Sequence, residues 1–276
     1  DVLSSINDDL ELYWSFDAAE DTAVLIHDSS GNGLHGTVNG SAQKVAGQQG
    51  QAMAFDGVDD SVIKNITQVN YPQYTVSFWA KASHTEQATF AGLFNNDGDT
   101  NNSDDFQIVV ADSLYDRFEF RSGNDNKRYD DYFVDTWACY IAVCNGSKVD
   151  LYHNGEWMNE VTLPMGRDFG QFALGTNLGG TAFFEGAIDE LRVYSRALSP
   201  IEINILSSPA ATQRYQLTVN SGYGSGAVSE GFQKSIKATQ VEGTFFKQWD
   251  GDFSHITDRF AEETTLTMPA QDISIT

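Results

Sequence analysis

Between residues 10 and 194 the chain is a succession of short runs in which apolar and polar residues alternate. The clearest are 10–16, 51–55, 61–63, 74–80, 90–94, 106–110, 117–121, 137–143, 148–153, 172–174 and 186–194. A period of two places every second side chain on one face, which is the signature of strands with one buried side. Clusters of Asn, Asp, Gly and Ser bound these runs, among them Asn145-Gly146 and Asn154-Gly155. Segment 149–157 reads as a hairpin, because Asn-Gly supplies the positive φ that a tight turn needs. Helical periodicity is confined to the residues after Ser199, where Ser199-Pro200-Ile201-Glu202 forms a capping box with proline at the first helical position. Many short strands with turn signals at this spacing predict an all-β protein built as a two-sheet sandwich.

The pattern changes at Ser207-Ser208-Pro209-Ala210-Ala211-Thr212, a stretch of small residues. The boundaries expected from it are a sandwich over 1–207, a linker over 208–214 and a small β-rich domain over 215–276. The small domain has expected strands at 215–220, 227–229, 235–239, 245–249, 263–268 and 273–276. So few residues bury a marginal core, assigned here to Trp249, Phe245, Phe246 and Leu266.

The chain has 276 residues and 16 Lys and Arg against 39 Asp and Glu, a net charge of −23. A field of that sign repels nucleic acid and anionic membrane surfaces, so neither is an expected partner. It suits solubility in salty or extracellular surroundings, or calcium binding. No run of 18 apolar residues exists, so no membrane insertion is expected. The opening Asp1-Val2-Leu3-Ser4 does not read as a signal peptide, although a processed chain would look the same. Cys139 and Cys144 lie five steps apart on one run, roughly 16 Å if extended and on opposite faces. Disulfides need Cα atoms within about 7 Å, so both are expected to be buried free thiols.

Run 186–194 carries the first chemical puzzle. Strict alternation puts Ala187, Asp189, Leu191 and Val193 on one face, and Ile188, Glu190, Arg192 and Tyr194 on the other. A carboxylate on an apolar face is costly unless it is paired, hydrogen-bonded or bound to a metal.

Four motifs now resemble the laminin-G-like, concanavalin A-like sandwich family over roughly residues 8–207. They are Leu12-Tyr13-Trp14-Ser15-Phe16-Asp17, then Asp28-Ser29-Ser30-Gly31-Asn32-Gly33-Leu34-His35-Gly36, then Ala54-Phe55-Asp56-Gly57-Val58-Asp59-Asp60, then Gly186-Ala187-Ile188-Asp189-Glu190-Leu191-Arg192-Val193-Tyr194. The resemblance implies a jelly-roll sandwich, often with a calcium ion at its rim and often carbohydrate binding. Residues 215–276 resemble the divergent bacterial surface repeats related to internalin B repeats, through Tyr215-Gln216-Leu217-Thr218-Val219 and Phe246-Lys247-Gln248-Trp249-Asp250-Gly251-Asp252. That likeness implies an extracellular bacterial protein, secreted or at the cell surface.

Given the family, the partner of Asp189 is sought in calcium. Calcium takes six to eight oxygens, and Asp17, Asp28, Asn32 and Asp189 are the expected ligands of a structural ion. The alternative is that Asp28 and Asn32 only make turn hydrogen bonds. A second oxygen-rich stretch, 95–105, reads as a solvated hairpin tip.

Sandwich glucanases of this superfamily carry carboxylates at alternate positions of one strand. Here Glu185 and Asp189 stand about 13 Å apart, too far for an acid–base pair, and Ala187 replaces the middle carboxylate. No catalytic residue is therefore expected.

Sugar binding asks for aromatic faces beside planar polar groups. Tyr115, Arg117, Glu119, Arg121, Asn124, Asn126 and Tyr129 form the richest such stretch, and Trp157 beside the Asn-Gly turn is a further platform. Arg117, Glu119 and Arg121 share a face if Phe118 and Phe120 are core. Two arginines fit the carboxylate or sulfate groups of an acidic glycan, and fit equally salt bridges to neighbouring Asp and Glu. The expected function is a non-catalytic, monomeric, polysaccharide-binding module of a secreted bacterial protein. An adhesin segment with a protein partner and a divergent glycan-cleaving enzyme are the alternatives.

Overall fold

The computed structural model describes residues 6–83, 87–96, 106–112, 115–122, 125–131, 134–162, 168–208, 214–223, 225–229, 233–239, 245–267 and 271–276. The chain divides into two compact units, Asp1–Ser207 and Ser208–Thr276.

The first unit opens with β1 (Leu10–Trp14), β2 (Leu25–Ile26), β3 (Gly36–Asn39), β4 (Gln43–Ala46) and β5 (Gln51–Asp56). Next come β6 (Ser61–Asn70), β7 (Tyr74–Ala82), β8 (Gly92–Asn95), β9 (Phe106–Asp112), β10 (Tyr115–Ser122) and β11 (Asp125–Asp131). It ends with β12 (Ala138–Cys144), β13 (Lys148–His153), β14 (Glu156–Thr162), β15 (Asp168–Leu174), β16 (Glu185–Tyr194) and a helix, α1 (Pro200–Ser207). These strands form two antiparallel sheets, so the all-β sandwich expected from the alternation is borne out. The first sheet runs β14-β13-β12-β7-β16-β5-β4 with β1 also on β16, and the second runs β11-β10-β9-β8-β15-β6-β3-β2.

Between the sheets lies one aromatic-rich core that includes Trp14, Phe78, Phe94, Phe106, Phe118, Phe120, Tyr140 and Phe172. A second cluster covers the outer face of the first sheet, where Trp79, Cys139, Ile141 and Tyr194 meet Leu198, Ile203 and Leu206. The two clusters explain why β7, β12 and much of β16 are apolar on both faces: one face meets the other sheet, the other meets α1. Cys139 belongs to the outer cluster and Cys144 to the inner one, and neither is in a disulfide. The turn Asn154-Gly155 has φ of 50° and 85°, as its sequence demands.

The capping box also forms. The Ser199 amide and hydroxyl donate to Glu202 Oε2 at 2.8 and 2.7 Å, and the Arg196 guanidinium reaches both Glu202 oxygens at 3.1 and 2.7 Å. Burial opposes ionisation of this carboxyl, but the Arg196 and Ser199 donors win and hold it down at about 2.

Strand β16 departs from strict alternation. Glu190 has φ of 55°, and the register against β7 shifts between Asp189 and Arg192. This bulge inserts one residue and reverses the facing, so Ile188 and Leu191 both enter the inner core. Asp189 pairs with Trp79 of the outer cluster. It therefore points away from Leu191 and Val193, correcting the face expected for it. The bulge lies where β16 changes partner: residues 185–188 pair with β5 and residues 191–194 with β1.

The second unit contains β17 (Arg214–Val219), β18 (Gly222–Tyr223), β19 (Gly226–Ser229), β20 (Gln233–Ala238), β21 (Glu263–Thr267) and β22 (Ile273–Ile275). They form two three-stranded sheets, β19-β17-β22 and β18-β20-β21. The core holds Leu217, Ile236, Trp249, Leu266, Ile273 and Ile275. Residues 245–249 form no strand, and Phe245 is 95% exposed rather than core. Trp249 is fixed instead by its indole N–H, which donates to the Ala261 carbonyl at 3.0 Å.

Candidate functional site

Two sites follow from the residues singled out by the sequence. The first lies at the partner change in β16. There the end of β1 leads to Asp17, the start of β5 is Gln51, and the hairpin tip 47–50 closes over both. The Gln49 amide donates to Asp189 Oδ2 at 3.0 Å and the Gln51 amide donates to Asp17 Oδ1 at 2.7 Å. The tip approaches so closely that a Cβ on Gly47 would stand 2.6 Å from Asp189 Oδ2. Asp189 is fully buried, yet its Oδ1 has no hydrogen-bond partner, and neither has the buried Oε1 of Gln49. Burial pushes the Asp189 carboxyl up to about 8, and the nearby charges of Glu190 and Asp17 push in the same direction. Asp189 Oδ1 and Gln49 Oε1 are thus two buried oxygens without a hydrogen-bond partner at this tip, and oxygen is the donor type that a hard cation takes.

Glu190 is satisfied differently. Its carboxylate accepts from the Tyr13 hydroxyl at 2.9 Å and from the Arg192 guanidinium at 2.6 Å, and that guanidinium lies 4.0 Å from the Tyr13 ring centroid. This closed triad holds the left-handed backbone of the bulge in place.

Asp28 and Asn32 stand in another web. Asp28 accepts hydrogen bonds from the amides of Tyr13, Ser30 and Leu34 and from the Ser30 hydroxyl at 2.8–3.0 Å. The Asn32 side-chain amide donates to the carbonyls of Leu10 and Glu11 at 2.9 and 3.0 Å. Each binds the glycine-rich loop to β1, which is the turn role of such residues. Asp17, Asp28 and Asp189 are not gathered into one group; among the described residues the closely spaced acidic trio is Asp56, Asp59 and Asp60. The four residues expected as calcium ligands are therefore not one group: Asp17 and Asp189 lie beneath the hairpin tip, whereas Asp28 and Asn32 serve the glycine-rich loop. Nothing in the sequence marks Gln49, a polar residue in a turn, except its place between Gly47 and Gly50.

The second site is the outer face of the second sheet. Phe118 and Phe120 enter the core, so Glu119 and Arg121 face outward beside Arg128 and Asn126 of β11 and Gln107 of β9. Glu119 is only 3% exposed; Arg121 Nη1 donates to its Oε1 at 3.0 Å and Arg128 Nε to its Oε2 at 3.4 Å. The Arg121 guanidinium lies 4.4 Å from the ring centroid of Phe90, which is partly exposed. Gln107 Oε1 accepts the Leu178 amide at 3.3 Å and ties loop 175–183 to the same surface. The surface brings together the exposed Phe90 ring, the Arg121 guanidinium held by Glu119, the exposed Asn126 amide and the half-buried Gln107 amide.

The structure gathers Glu119, Arg121 and Asn126 of the expected set. Tyr115 and Arg117 lie in β10, where their backbone alone is described; Asn124 lies outside the described residues. Tyr129 is corrected: it is 1% exposed, edge-on to Tyr140, with its hydroxyl donating to the Ile141 carbonyl at 3.4 Å, so it presents nothing to a ligand. Trp157 is 54% exposed but belongs to the first sheet, where its indole N–H donates to Asp150 at 3.0 Å. Phe90 and Gln107 were missed. Phe90 follows irregular chain with φ of 63° and Gln107 looks like any polar strand residue.

Residues 55–204, more than half of the chain, match the model of the concanavalin A-like lectin/glucanases superfamily. The chain belongs to that superfamily. Residues 215–276 match the divergent InlB B-repeat domain. Among curated proteins none matches this chain. Among solved structures, this superfamily member is similar to domain 4 of AbnA, an extracellular arabinanase from Geobacillus stearothermophilus in complex with arabinotriose. The identity is 25% and the TM-score 0.58, over 72% of this chain and 98% of that one. It also shares its fold with the binding domain of Paraclostridial Mosquitocidal Protein 1, at 17% identity and TM-score 0.59, over 90% of this chain and 62% of that one. The ligand-binding domain of botulinum neurotoxin serotype D with N-acetylneuraminic acid is a further fold relative, at 13% identity and TM-score 0.62, covering 97% and 80%. The first of these structures holds arabinotriose, the second is a binding domain, and the third is a ligand-binding domain holding N-acetylneuraminic acid. No helix among the described residues is long and apolar enough to cross a membrane.

Proposed function

We propose that the chain is a non-catalytic carbohydrate-binding module of a secreted bacterial protein, and that the outer face of its second sheet holds a polysaccharide. The observation that carries this reading is the fixed Arg121 guanidinium, in contact with Phe90 and locked by the buried Glu119. A ring such as Phe90 covers the apolar face of a sugar, and planar donors fixed beside it meet the hydroxyls at little entropic cost. Because Arg121 and Arg128 already share Glu119, the face offers donors to neutral hydroxyls more readily than a vacant anion site. The arabinotriose complex of the arabinanase domain supports a neutral oligosaccharide of this kind.

A structural calcium ion belongs to the same reading. Asp17, Asp189 and Gln49 would hold it, and its charge would replace the missing partner of the buried carboxylate. The ion would pin the hairpin tip 47–50 to β16, away from the sugar face.

The test is affinity electrophoresis of the whole chain through gels containing arabinan, other neutral polysaccharides or acidic ones, with and without chelator. Retardation by a neutral polysaccharide is expected, reduced in Arg121→Ala. No retardation by any glycan would sink the reading, and release of reducing ends would replace it with an enzyme.

A further inference from the structure

The second unit contains a cavity of about 300 Å³ that the reading above does not use. Its walls include Ser221, Thr239, Phe245, Phe246, Lys247 and Asp250. That volume is at the lower end of ligand pockets and suits one sugar ring rather than a chain of them.

The lining is chemically uneven. Phe246 is anchored against Trp249, with ring centroids 5.4 Å apart, while its neighbour Phe245 projects almost fully into solvent at the rim. Such a ring gains nothing from the fold and is available to cover a ligand. The Asp250 carboxylate is already engaged, accepting from the Gln248 side-chain amide at 2.8 Å and from the Arg259 guanidinium at 3.0 Å. Lys247 forms no ion pair among the described residues, in a chain with 39 acidic residues and a net charge of −23. Lys247 thus brings a cation to the wall of a cavity in an otherwise acidic protein, where it can meet a ligand anion. The hydroxyls of Ser221 and Thr239 complete a wall that can donate and accept.

We propose that this cavity is a second carbohydrate subsite, one that takes a uronic acid. The ligand carboxylate meets Lys247, the apolar face of the pyranose lies against Phe245, and the ring hydroxyls meet Ser221 and Thr239. The site is separate from the sandwich face in residues and in charge preference: one platform takes neutral hydroxyls, the other a single acidic ring.

Amide chemical shifts of the whole chain titrated with methyl β-D-glucuronide, methyl β-D-glucoside and acetate test the assignment. Saturable shifts at residues 245–250 with the glucuronide are expected, with affinity at least tenfold weaker for the glucoside and no saturation by acetate. Lys247→Gln and Phe245→Ala, both at exposed positions, should each raise the dissociation constant at least tenfold. Absence of shifts at 245–250, equal binding of glucoside and glucuronide, saturation by acetate alone, or unchanged affinity in both variants would each overturn it. Because the readout is local to these residues, failure here leaves the sandwich face untouched, and shifts confined to β9–β11 would speak only for that face.

Discussion

Asp189 and Gln49, separated by 140 residues, are joined by a 3.0 Å hydrogen bond from the Gln49 amide to Asp189 Oδ2, while the other oxygen of the same carboxylate has no partner. One oxygen of a buried carboxylate is thus satisfied by the fold and the other is not. Calcium should raise the melting temperature of the whole chain at pH 7.5 by several degrees over a chelator control. Asp189→Asn, which removes the charge, should abolish that increment. Asp28→Asn should lower the melting temperature equally with and without calcium, because Asp28 serves the loop. A calcium increment that survives Asp189→Asn would remove the site.

In chelator, the raised pKa of Asp189 makes a separate pH prediction. A carboxyl held near 8 in the fold and near 3.8 in the unfolded chain binds its proton more tightly when folded. The stability it contributes is full below about pH 4 and is lost as pH rises to about 8. Urea denaturation between pH 4 and 8 should show that decline, and Asp189→Asn should flatten it.

Glu202 behaves in the opposite sense. Its folded pKa is depressed to about 2 from 4.5, so its contribution is present above pH 4.5 and disappears as pH falls towards 2. Acid unfolding of the sandwich should shift to higher pH in Glu202→Gln, with a loss on the order of 2 kcal/mol at pH 7. An unchanged acid limb in that variant would show that the Arg196–Glu202 pair is not what anchors α1.

On the sugar face, Arg121→Ala should weaken polysaccharide binding roughly tenfold, about 1.4 kcal/mol, and should also lower stability, because the buried Glu119 loses one of its two arginines. Tyr129→Phe should leave binding intact and cost only the hydrogen bond to Ile141. Isothermal titration with a retarded polysaccharide checks both, and the reverse pattern would move the site to the other side of β11.

Gly92 tests the link between fold and face. A methyl group there would overlap the backbone of Thr176, so loop 175–183 would have to move. Gly92→Ala should destabilise by about 1–3 kcal/mol in urea. It should also weaken glycan binding through Leu178 and Gln107. Unchanged binding at reduced stability would show that the loop does not shape the platform.

Much of this architecture was legible because period two is a physical constraint. Phe118 and Phe120 could be assigned to the core, and hence Glu119 and Arg121 to the surface, from alternation alone. Ser199 and Glu202 announced α1 through their own side-chain chemistry. The same rule misled where its premise failed. One inserted residue at Glu190 reversed the facing of Asp189, and no composition signal marks a bulge. Tyr129 reads as a ligand residue because it lies in the aromatic and polar stretch 115–129, whereas the strand turns it inward onto Tyr140. Phe245 reads as core because a small domain with an expected strand at 245–249 has few large apolar residues to bury, but that segment forms no strand and leaves the ring in solvent. Gln49 escaped notice because only tertiary folding brings a turn glutamine over a distant carboxylate.

The partner exchange along β16 also has a kinetic side. This strand stands in the middle of the first sheet, yet it is the last strand of the sandwich to be made. β1 waits for it from the start of the chain, and Leu12 meets Val193 only at the end. During synthesis the early strands must remain unpaired along that edge until nearly the whole domain has left the ribosome. Pairings so distant in sequence form slowly, and an exposed strand edge recruits whatever strand is at hand. The hairpin tip that later closes over Asp189 is therefore among the last parts to settle, and a cation arriving there would act on a molecule that has already completed its search.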